Sequence, residues 1–394
     1  MHMNDVFFVG TARTAIGSFG GSLKDIPLVD LATTVVRGAV THAGVAPDAI
    51  GHVVMGNVVP TEPRDAYLSR VAAINAGLPQ AVPAFNVNRL CGSGLQAIVS
   101  AAQGIQLGDY TLAVAGGAES MSRGPYLLPA MRWGARLGDA QAIDYMNGIL
   151  LDPWQQFHMG VTAENVAARF NISREMQDEL AALSQQRAAL AIAEGRFREQ
   201  IVPIELRSRK GPGVFDTDEN VRAQVDRQRL ASMPAVFQDG GSVTAGNASS
   251  LNDGAAAVVI AGADAVRQHG LQPLARLVAY GHAGVDPAYM GMGPVPATRL
   301  ALKRAGLAIA DIDVIESNEA FAAQACAVIQ QLELDPLKVN PNGSGISLGH
   351  PVGATGAIIT IKAIHELRRT GGRYGLVTLC IGGGQGIAMV IERL

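Results

Sequence analysis

Cysteine is scarce in this sequence, and its placement excludes two common uses of the residue. Among 394 residues the chain has only Cys91, Cys326 and Cys380. An odd, widely spaced set argues against a disulfide framework, and no pair has the CxxC spacing typical of a zinc site, so we expect no metal. No secretory leader precedes the first predicted strand. We therefore expect a cytoplasmic protein whose thiols are free.

Strong charge and long apolar runs are missing as well. The net charge is −3 and no long basic tract occurs, which argues against nucleic acid and anionic membranes as partners. No apolar run approaches the roughly 20 residues that a membrane span needs. Instead the sequence has 48% hydrophobic residues, 46 glycines and only 16% charged residues. Such a chain is expected to bury a large core and to pack its layers closely.

Strands and helices alternate over the first 120 residues, which predicts an α/β architecture with mostly parallel strands. The predicted elements are strands at 6–9, 53–55, 82–87 and 110–115, the last closed by two glycines, and helices at 28–43 and 94–105. Residues 121–248 differ, because they hold both tryptophans, many charges and one clear amphipathic helix at 174–194. Their irregularity predicts an excursion over the surface that covers a ligand. A buried strand at 254–260 then resumes the α/β pattern.

The last third of the chain repeats the first. The pattern of Ala43–Val53 returns in Ala305–Ile315, and a helix at 356–368 feeds a strand at 374–381 that ends in three glycines. A module that is used twice at this distance predicts a duplicated α/β fold.

The two copies differ at chemically useful positions. In the register that we assign, Asn318 lies opposite Gly56 and Cys380 lies opposite Gly116. Polar and reactive groups of the second copy thus stand where the first copy has glycine. We expect function at such differences.

Cys91 lies in the stretch Asn88–Gln96, between an extended apolar run and a helix of small residues. A thiol at a helix N-terminus is close to unpaired N–H groups and the positive end of the helix dipole, which favour the nucleophilic thiolate. A small buried hydrophobe would suit the position equally, so this stretch alone leaves both interpretations open. Gly92–Ala97 also matches a loose dinucleotide fingerprint, but no well-placed acidic residue follows the next strand.

Three further stretches combine glycines with reactive groups. Asn342–Gly356 crowds glycines around His350, and because glycine permits unusual backbone conformations and close approach of a ligand, this favours a catalytic histidine. Cys380 ends a buried strand and enters a glycine turn. Asn318–Phe321 follows another strand, where a helix cap is the alternative.

Gly345–Gly349 matches the GxSxG nucleophile elbow, but it follows a turn and lacks an acid and a base in hydrolase order.

Taken together, these stretches resemble the thiolase family. The matching motifs are Cys91 in Asn-Arg-Leu-Cys-Gly-Ser-Gly, Asn318–Phe321, Gly349–Pro351 and Cys380–Gly386, supported by Thr244–Ser249 and Met290–Pro294. The resemblance implies a duplicated thiolase fold in five layers, αβαβα, with an inserted loop domain. The implied boundaries are 1–120 with 249–271 for the N-terminal half, 121–248 for the inserted, coenzyme A-binding domain and 272–394 for the C-terminal half. It also implies dimers or, commonly in the bacterial enzymes, tetramers, and we expect a homotetramer built as a dimer of dimers.

The same resemblance implies a β-ketothiolase, an acyltransferase that exchanges acyl groups with coenzyme A. Cys91 would carry the acyl group, His350 would take the thiol proton, and Cys380 would be the second acid or base. Asn318 would hold a water that forms one oxyanion hole with His350, and the N–H groups of Cys91 and Gly382 would form the other. Coenzyme A and acyl-CoA are then substrates, and no tightly bound cofactor is implied.

The resemblance to the thiolase family also implies which residues contact the substrate. The implied set is His158, Met159, Arg222 near the nucleotide, Ser249 at the pantetheine, and Met290 and Phe321 around the acyl group. Many thiolases have Gly-Gly-Ala-Ile-Ala before Gly-His-Pro, whereas this chain has Gly-Ser-Gly-Ile-Ser at 343–347. That variant resembles bacterial β-ketothiolases with broader acyl-chain tolerance. We therefore expect short-chain substrates such as acetoacetyl-CoA and 3-ketovaleryl-CoA.

Two other classes remain as alternatives. A decarboxylating ketoacyl synthase would share the fold and the nucleophile, but it typically pairs its cysteine with two histidines or with histidine and asparagine. Cys380 in its glycine turn and the Asn-Glu-Ala-Phe motif favour a thiolase instead. A non-catalytic acyl-CoA-binding protein would have no reason to retain both thiols and His350.

Overall fold

The structure is a computed structural model that describes residues 5–208 and 211–394. The first part contains β1 (Val6–Arg13), β2 (Gly17–Ser18), α1 (Leu28–Ala43), β3 (His52–Gly56), α2 (Leu68–Asn75), β4 (Ala84–Val87), α3 (Ser93–Leu107) and β5 (Leu112–Ser120). The middle contains β6 (Tyr126–Leu127), β7 (Ile143–Asp144), α4 (Tyr145–Gly148), α5 (Met159–Phe170), α6 (Arg174–Ala193), β8 (Ile204–Ser208), β9 (Gly211–Phe215) and α7 (Arg227–Ser232). The last part contains β10 (Asn252–Gly262), α8 (Ala263–His269), β11 (Ala275–Gly284), α9 (Pro294–Ala305), β12 (Val314–Ser317), α10 (Ala322–Gln331), α11 (Thr355–Thr370), β13 (Tyr374–Ile381) and β14 (Gln385–Arg393).

Ten strands of the described chain form one sheet, in the order β12-β13-β14-β11-β1-β10-β5-β3-β4 with β2 paired to β10. The order is symmetric about the short β1–β11 pair, as a duplicated fold requires, except that an isolated bridge between Ile315 and Val339 stands where the first half has β4. The expectation of mostly parallel strands is wrong. Pairs β3–β4, β3–β5 and β12–β13 are parallel, but the sheet is otherwise antiparallel. The physical reason is clearest at β13 and β14, which a tight turn joins, because such a turn can connect only antiparallel strands.

Alternate residues of the strands pack into different hydrophobic cores. Val258 and Ile260 of β10 belong to a central core with α3 and α11, whereas Val259 belongs to an outer core under α1 and α2. Val377 of β13 faces the same central core, and its neighbour Leu376 faces a third core under α9 and α10. The layers are therefore outer helices, half-sheet, central helices, half-sheet and outer helices. The predicted five-layer αβαβα fold is confirmed.

The strand pairing gives the register between the two halves. Val54 of β3 pairs with Ala115 of β5, and Glu316 of β12 pairs with Val377 of β13. These pairs alone do not fix the register, but the β-bulges do. The pairing of β1 with β10 shifts between Phe8 and Gly10, and that of β11 with β14 shifts between Leu277 and Ala279. Matching the two bulges and following the antiparallel pairs to β5 and β13 places Val54 opposite Glu316 and Ala115 opposite Val377, a constant spacing between the copies.

That spacing corrects the register read from the sequence. It places Asn318 opposite Gly56, as predicted. It places Cys380 opposite Ala118 and not opposite Gly116, so that assignment was wrong by two residues. The error arose because the glycines of the first copy were taken for the counterpart of the glycine turn after β13.

The glycines of β5 lie inside the strand and do not close it. The strand continues to Ser120. A Cβ atom on Gly116 would lie 2.0 Å from the carbonyl oxygen of Ala256, and one on Gly117 would lie 2.0 Å from that of Gly353. These glycines thus let β10 and the loop after His350 approach the strand closely.

The stretch after β5 occupies the place of a hairpin turn. In the second half, Gly382–Gly384 alone connects β13 to β14, whereas in the first half residues 121–251 connect β5 to its antiparallel partner β10. Helix α6 confirms the predicted helix at 174–194, but its buried face consists of alanine, serine and glutamine and not of large apolar residues. Helix α5 was not predicted. The domain boundaries given above remain a prediction.

A buried ion pair ties this inserted stretch to the sheet. Both guanidinium Nη atoms of Arg13 donate to the two carboxylate oxygens of Asp218, at 2.8 and 2.9 Å, and neither side chain is exposed. The Arg13 guanidinium also lies 4.9 Å from the centre of the Phe197 ring. The insertion is thus attached to β1 by charge-assisted bonds shielded from solvent.

None of the helices in the described ranges is long and apolar enough to cross a membrane. Within residues 5–208 and 211–394, no group of three or more histidine, cysteine, aspartate or glutamate side chains is arranged to hold a metal ion.

Candidate active site

Cys91 lies in the tight turn between β4 and α3. Leu90 before it has a positive φ of 46°. The hydroxyl of Ser93 holds this turn, because it accepts from the N–H of Arg89 at 2.8 Å and donates to the carbonyl of Leu90 at 2.7 Å. The thiol is therefore held in place just before the first residue of a helix, as predicted.

Burial, and not the helix dipole, dominates the protonation of Cys91. Removal from water and the nearby Glu119 carboxyl raise the pKa of the Cys91 thiol to about 11, although the N–H groups of Gly382 and of Cys91 itself donate to the sulfur. The sequence predicts that the N–H groups and the helix dipole favour the thiolate, but burial has the larger effect and favours the neutral thiol. The two N–H groups proposed as an oxyanion hole do converge on this sulfur.

His350 is buried and has a defined tautomer. Its Nδ1 lies 2.7 Å from the hydroxyl of Thr355, and that hydroxyl donates its only proton to the carbonyl of Pro351 at 2.9 Å. Thr355 must therefore accept from Nδ1–H, which leaves a lone pair on Nε2. Burial lowers the pKa of His350 to about 4, so the ring is neutral and its Nε2 can accept a proton.

The backbone around His350 is held by Asn252. The amide oxygen of Asn252 accepts from the N–H of His350 at 2.8 Å, and its amide nitrogen donates to the carbonyl of Gly17 at 3.0 Å. Gly349 has a φ of 113°, and a Cβ there would lie 2.5 Å from the Asn252 amide. The glycine before the histidine is thus required by both conformation and space.

Asn318 contacts His350 at Nε2. Its Nδ2 lies 3.4 Å from Nε2 of His350, and its Oδ1 has no hydrogen-bond partner among the described residues. The alternative of a helix cap is wrong, because α10 begins at Ala322 after Phe321 and has no side-chain cap. Oδ1 of Asn318 can therefore accept a hydrogen bond beside the imidazole, but Asn318 lines a small space of about 10 Å³ and not the cavity lined by Cys91.

Cys380 is the penultimate residue of β13 and is fully buried. Burial and the proximity of Cys91 raise the pKa of its thiol. The turn that follows needs glycine at Gly383 and Gly384, because their φ values are 81° and 82°. Space also requires glycine at Gly384, since a Cβ there would lie 2.4 Å from the carbonyl oxygen of Val285. The turn aims the N–H of Gly382 at Cys91 from the other half of the fold.

A cavity of about 400 Å³ joins these groups. Cys91, His350, Cys380 and Gly382 all line it. The predicted contacts His158, Met159, Ser249, Met290 and Phe321 line it as well, together with Leu90, Met121, Ile149, Leu150, Phe237 and Ala320. The walls are mainly apolar and the reactive groups are few and convergent, which is typical of a small-molecule site.

Aromatic stacking orients the inserted stretch over this cavity. The rings of His158 and Phe237 stack at 4.7 Å, and Phe237 meets Phe321 edge-on at 6.0 Å. Nδ1 of His158 accepts from the N–H of Gly160 at 3.0 Å, so Nε2 of this neutral ring carries the proton. His158 can thus donate a hydrogen bond to a ligand in the cavity.

Arg222 is separate from these residues. It lines a second cavity of about 150 Å³, together with Gln185, Asn220 and Ile346. The two cavities share Ala245, Ala248 and Ser250 as lining residues, so they adjoin. The predicted contacts thus divide between a reactive end and a distant end.

Glu119 was missed by sequence reasoning. It is fully buried, and each carboxylate oxygen accepts two bonds, from the N–H groups of Val58, Val59 and Gly353 and from the amide of Asn57, all at 2.8–3.0 Å. Burial raises the pKa of the Glu119 carboxyl to about 8, although the N–H donors favour its ionised form. The sequence feature that could have indicated Glu119 is a single acidic residue near the end of an otherwise uncharged strand.

The two serines that depart from the common thiolase motif do not face the cavity. Ser344 and Ser347 are buried and contact Ser184 of α6, and neither lines the cavity that holds Cys91. Any influence of this variant on acyl-chain tolerance would therefore have to be indirect.

Comparison with known proteins is consistent with this geometry over the whole chain. The family models for the thiolase N-terminal domain and the thiolase C-terminal domain match residues 6–264 and 271–393. The chain is 62% identical to the beta-ketothiolase BktB of Cupriavidus necator over 391 residues, 99% of either protein. It is 50% identical to an acetyl-CoA acetyltransferase of Escherichia coli over the full length of both.

Solved structures agree with the sequence matches. Human mitochondrial 3-ketoacyl-CoA thiolase in complex with CoA superposes with a TM-score of 0.97 at 44% identity, over 99% of this chain and 98% of that one. The acetyl-CoA acetyltransferase of Bacillus anthracis superposes with a TM-score of 0.97 at 46% identity, over 100% and 99%. This chain therefore belongs to the thiolase family of acyltransferases.

Proposed function

We propose that this enzyme is a β-ketothiolase that interconverts short 3-ketoacyl-CoA with acyl-CoA and acetyl-CoA through an acyl group carried on Cys91. The observation that carries the proposal is the convergence of two thiols and one neutral imidazole in a single apolar cavity. One thiol cannot be acyl carrier and proton shuttle at once, so the second thiol has a separate task.

Thiolysis begins with proton transfer from Cys91. As its sulfur attacks the 3-keto carbon of acetoacetyl-CoA, the lone pair on Nε2 of His350 accepts the thiol proton. The carbonyl oxygen becomes an oxyanion, which needs preorganised donors. Collapse of the adduct leaves an acetyl thioester on Cys91 and expels acetyl-CoA as its enolate.

Cys380 completes the cycle. Its raised pKa keeps the thiol protonated at rest, so it can give a proton to the enolate carbon and become a thiolate. Free coenzyme A then attacks the thioester while its thiol proton passes to the Cys380 sulfur. Cys91 departs and recovers its proton from His350, so every group returns to its starting state.

Two oxyanion holes fit the donors present. N–H groups of Cys91 and Gly382 serve the thioester on Cys91, while protonated His350 and a water held by Asn318 serve the other oxyanion. Each donor would contribute about 3–4 kcal/mol to the chemical step. The reaction needs no tightly bound cofactor.

The two ends of the acyl-CoA fit the two cavities. Met290 and Phe321 would bound the acyl group, and His158, Met159 and Ser249 would contact the pantetheine in the larger cavity. Arg222 would meet the nucleotide in the second one. A cavity of about 400 Å³ that also holds the thioester arm suits acetoacetyl and 3-ketovaleryl groups.

The test is to mix the enzyme with acetoacetyl-CoA and free coenzyme A and to follow loss of the enolate absorbance. Wild type should turn over and, without coenzyme A, gain the mass of one acetyl group. Cys91→Ala should show neither. Cys326→Ala is the matched control, because this thiol lies between α10 and α6 outside both cavities. Full activity in Cys91→Ala would refute the proposal, and 3-ketovaleryl-CoA in the same assay measures the chain-length range.

The assembly is a homotetramer, a dimer of dimers. Support comes from the segment around β6 and β7, which exposes an unusual set of apolar side chains: Tyr126, Leu127, Leu128, Met131, Trp133 and Leu137. An exposed apolar patch of this kind marks an interface. Light scattering should give the mass of four chains, whereas the mass of one chain would contradict the assignment.

The protein works in the cytoplasm. Cys91, Cys326 and Cys380 are all free thiols in the structure, and the proposed chemistry needs two of them reduced, which suits a reducing compartment. Cell fractionation followed by the thiolysis assay tests this location, and activity confined to another compartment would contradict it.

A further inference from the structure

The buried serines of the loop 342–348 belong to a polar cluster that joins three elements. Ser344 and Ser347 come from this loop, Ser184 from α6 of the inserted stretch, and Glu319 from the segment between β12 and α10. All four residues are at most 3% exposed. Buried polar groups require mutual satisfaction, so their bonds fix a specific arrangement.

Proton counting gives the cluster a direction. The hydroxyl of Ser184 lies 2.6 Å from Oε2 of Glu319 and 2.8 Å from the hydroxyl of Ser347. Ser184 has one proton, and the shorter, carboxylate partner takes it. The contact with Ser347 is then a bond donated by Ser347, because the other acceptor for the Ser347 proton, the carbonyl of Ser344, is more distant at 3.2 Å. The chain of donors therefore runs from Ser347 through Ser184 to Glu319, whose other oxygen accepts from the amide of Asn340 at 2.9 Å.

Both ends of this chain of hydrogen bonds lie next to segments that carry proposed catalytic residues. Glu319 directly follows Asn318, and Ser347 lies three residues before His350. Gly345 allows the loop to lie against the first of these segments, because a Cβ there would be 2.8 Å from Oδ1 of Asn318.

Ser184, in the middle of this chain of hydrogen bonds, lies next to the second cavity. Gln185, next to Ser184 on α6, accepts from the backbone N–H of Arg222 at 2.8 Å. The amide of Asn220 donates to the carbonyl of Ser347 at 3.3 Å. Gln185, Asn220, Arg222 and Ile346 line that cavity. One wall of the distant cavity is therefore the same loop that leads to His350.

We propose that Ser347, Ser184 and Glu319 act as positioning residues that couple occupancy of the second cavity by the nucleotide end of coenzyme A to the placement of His350 and Asn318. The proposal rests on the proposed function, because it takes the second cavity as the nucleotide site. Binding energy far from the reacting atoms then improves alignment at the thiol. These residues touch neither the thioester nor the reacting sulfur.

The test compares two substrate pairs in thiolysis. One pair is acetoacetyl-CoA with coenzyme A; the other is acetoacetyl-N-acetylcysteamine with N-acetylcysteamine, which has no nucleotide and leaves the second cavity empty. Ser347→Ala should lower kcat for the full pair by about five- to tenfold, the effect of one lost buried hydrogen bond. KM for coenzyme A should stay near wild type, and the rate with the truncated pair should change less than twofold.

Further variants isolate the cluster. Ser184→Ala lies in a helix, where alanine is the most favourable residue, so it tests the proposal even if Ser347→Ala folds poorly. The double variant should lose no more than the worse single variant, because the donors form one chain. Ser232→Ala, an exposed serine of α7, is the matched control and should behave as wild type.

The outcomes are separable. Equal losses with both pairs would show that the cluster only maintains the loop, and an unchanged kcat with the full pair would show that it does nothing; either result overturns the inference. Failure of wild type to cleave acetoacetyl-CoA with coenzyme A would instead overturn the proposed function.

Discussion

At the scale of single residues, burial sets the resting state of the reacting groups. The pKa of Cys91 is raised to about 11 and that of His350 is lowered to about 4, both chiefly by removal from water. At neutral pH the pair is therefore a thiol and a neutral imidazole, not an ion pair. Charge then develops only as the substrate carbonyl is attacked.

The reactivity of Cys91 toward a neutral alkylating agent should reflect this state. Because only the thiolate reacts and its pKa lies above the ordinary value of about 8.5, the thiolate fraction should rise about tenfold per pH unit between pH 7 and 10. Inactivation by iodoacetamide without substrate, with the modified peptide identified by mass spectrometry, should show this rise without a plateau. A plateau near pH 8 would mean that Cys91 is a preformed thiolate.

At the scale of elements, glycines decide how closely the two halves approach. Gly117 in the middle of β5 leaves room for the backbone of Gly353, three residues after His350. Glu119, two residues further on, accepts the N–H of the same Gly353 at 2.8 Å. One strand of the first half thus seats the catalytic loop of the second.

Gly117→Ala should displace that loop. The added Cβ would lie 2.0 Å from the carbonyl oxygen of Gly353, so the loop has to move, and we expect a loss of about 1–3 kcal/mol of stability. A shift of His350 by 1 Å can lower kcat by about 100-fold. Urea unfolding and the thiolysis assay measure the two effects.

Gly213→Ala in β9 is the matched control, because its nearest neighbour would be 4.0 Å away. It should leave both quantities near wild type. Wild-type activity in Gly117→Ala would show that the close approach has no role in seating the loop.

At the scale of the whole molecule, the apolar segment around β6 and β7 lies outside the chain's own core, on the surface. Trp133 and Leu137 are 87% and 99% exposed and line neither cavity. If this segment joins the proposed tetramer, replacing both by serine should halve the mass measured by light scattering, to that of a dimer. The thiolysis kcat should stay within about twofold of wild type, because no reacting group is touched. An unchanged mass would show that another surface joins the dimers.

Much of this molecule was predictable, and the misses have physical causes. Helix α1 and strand β13 have the predicted bounds because apolar periodicity and a following glycine mark them locally. The end of β5 was misjudged because a glycine inside a strand resembles a strand end until the neighbour that needs the space is known. Glu119 was missed because a buried carboxylate with four donors looks like any acid in a sequence.

Cys91 shows which properties can be read from the sequence and which need the tertiary structure. The sequence by itself determined the thiolase fold and the duplicated module and singled out Cys91, His350 and Cys380 as candidate reactive residues, because the motifs and their order can be read along the chain. Only the tertiary structure decided their protonation, the tautomer of His350, the separation of Arg222 from the reactive end and the buried serine cluster. These depend on burial, on the folded conformation of the His350 loop and on contacts such as that of Ser184 with Ser347, 163 positions apart, which no local pattern records.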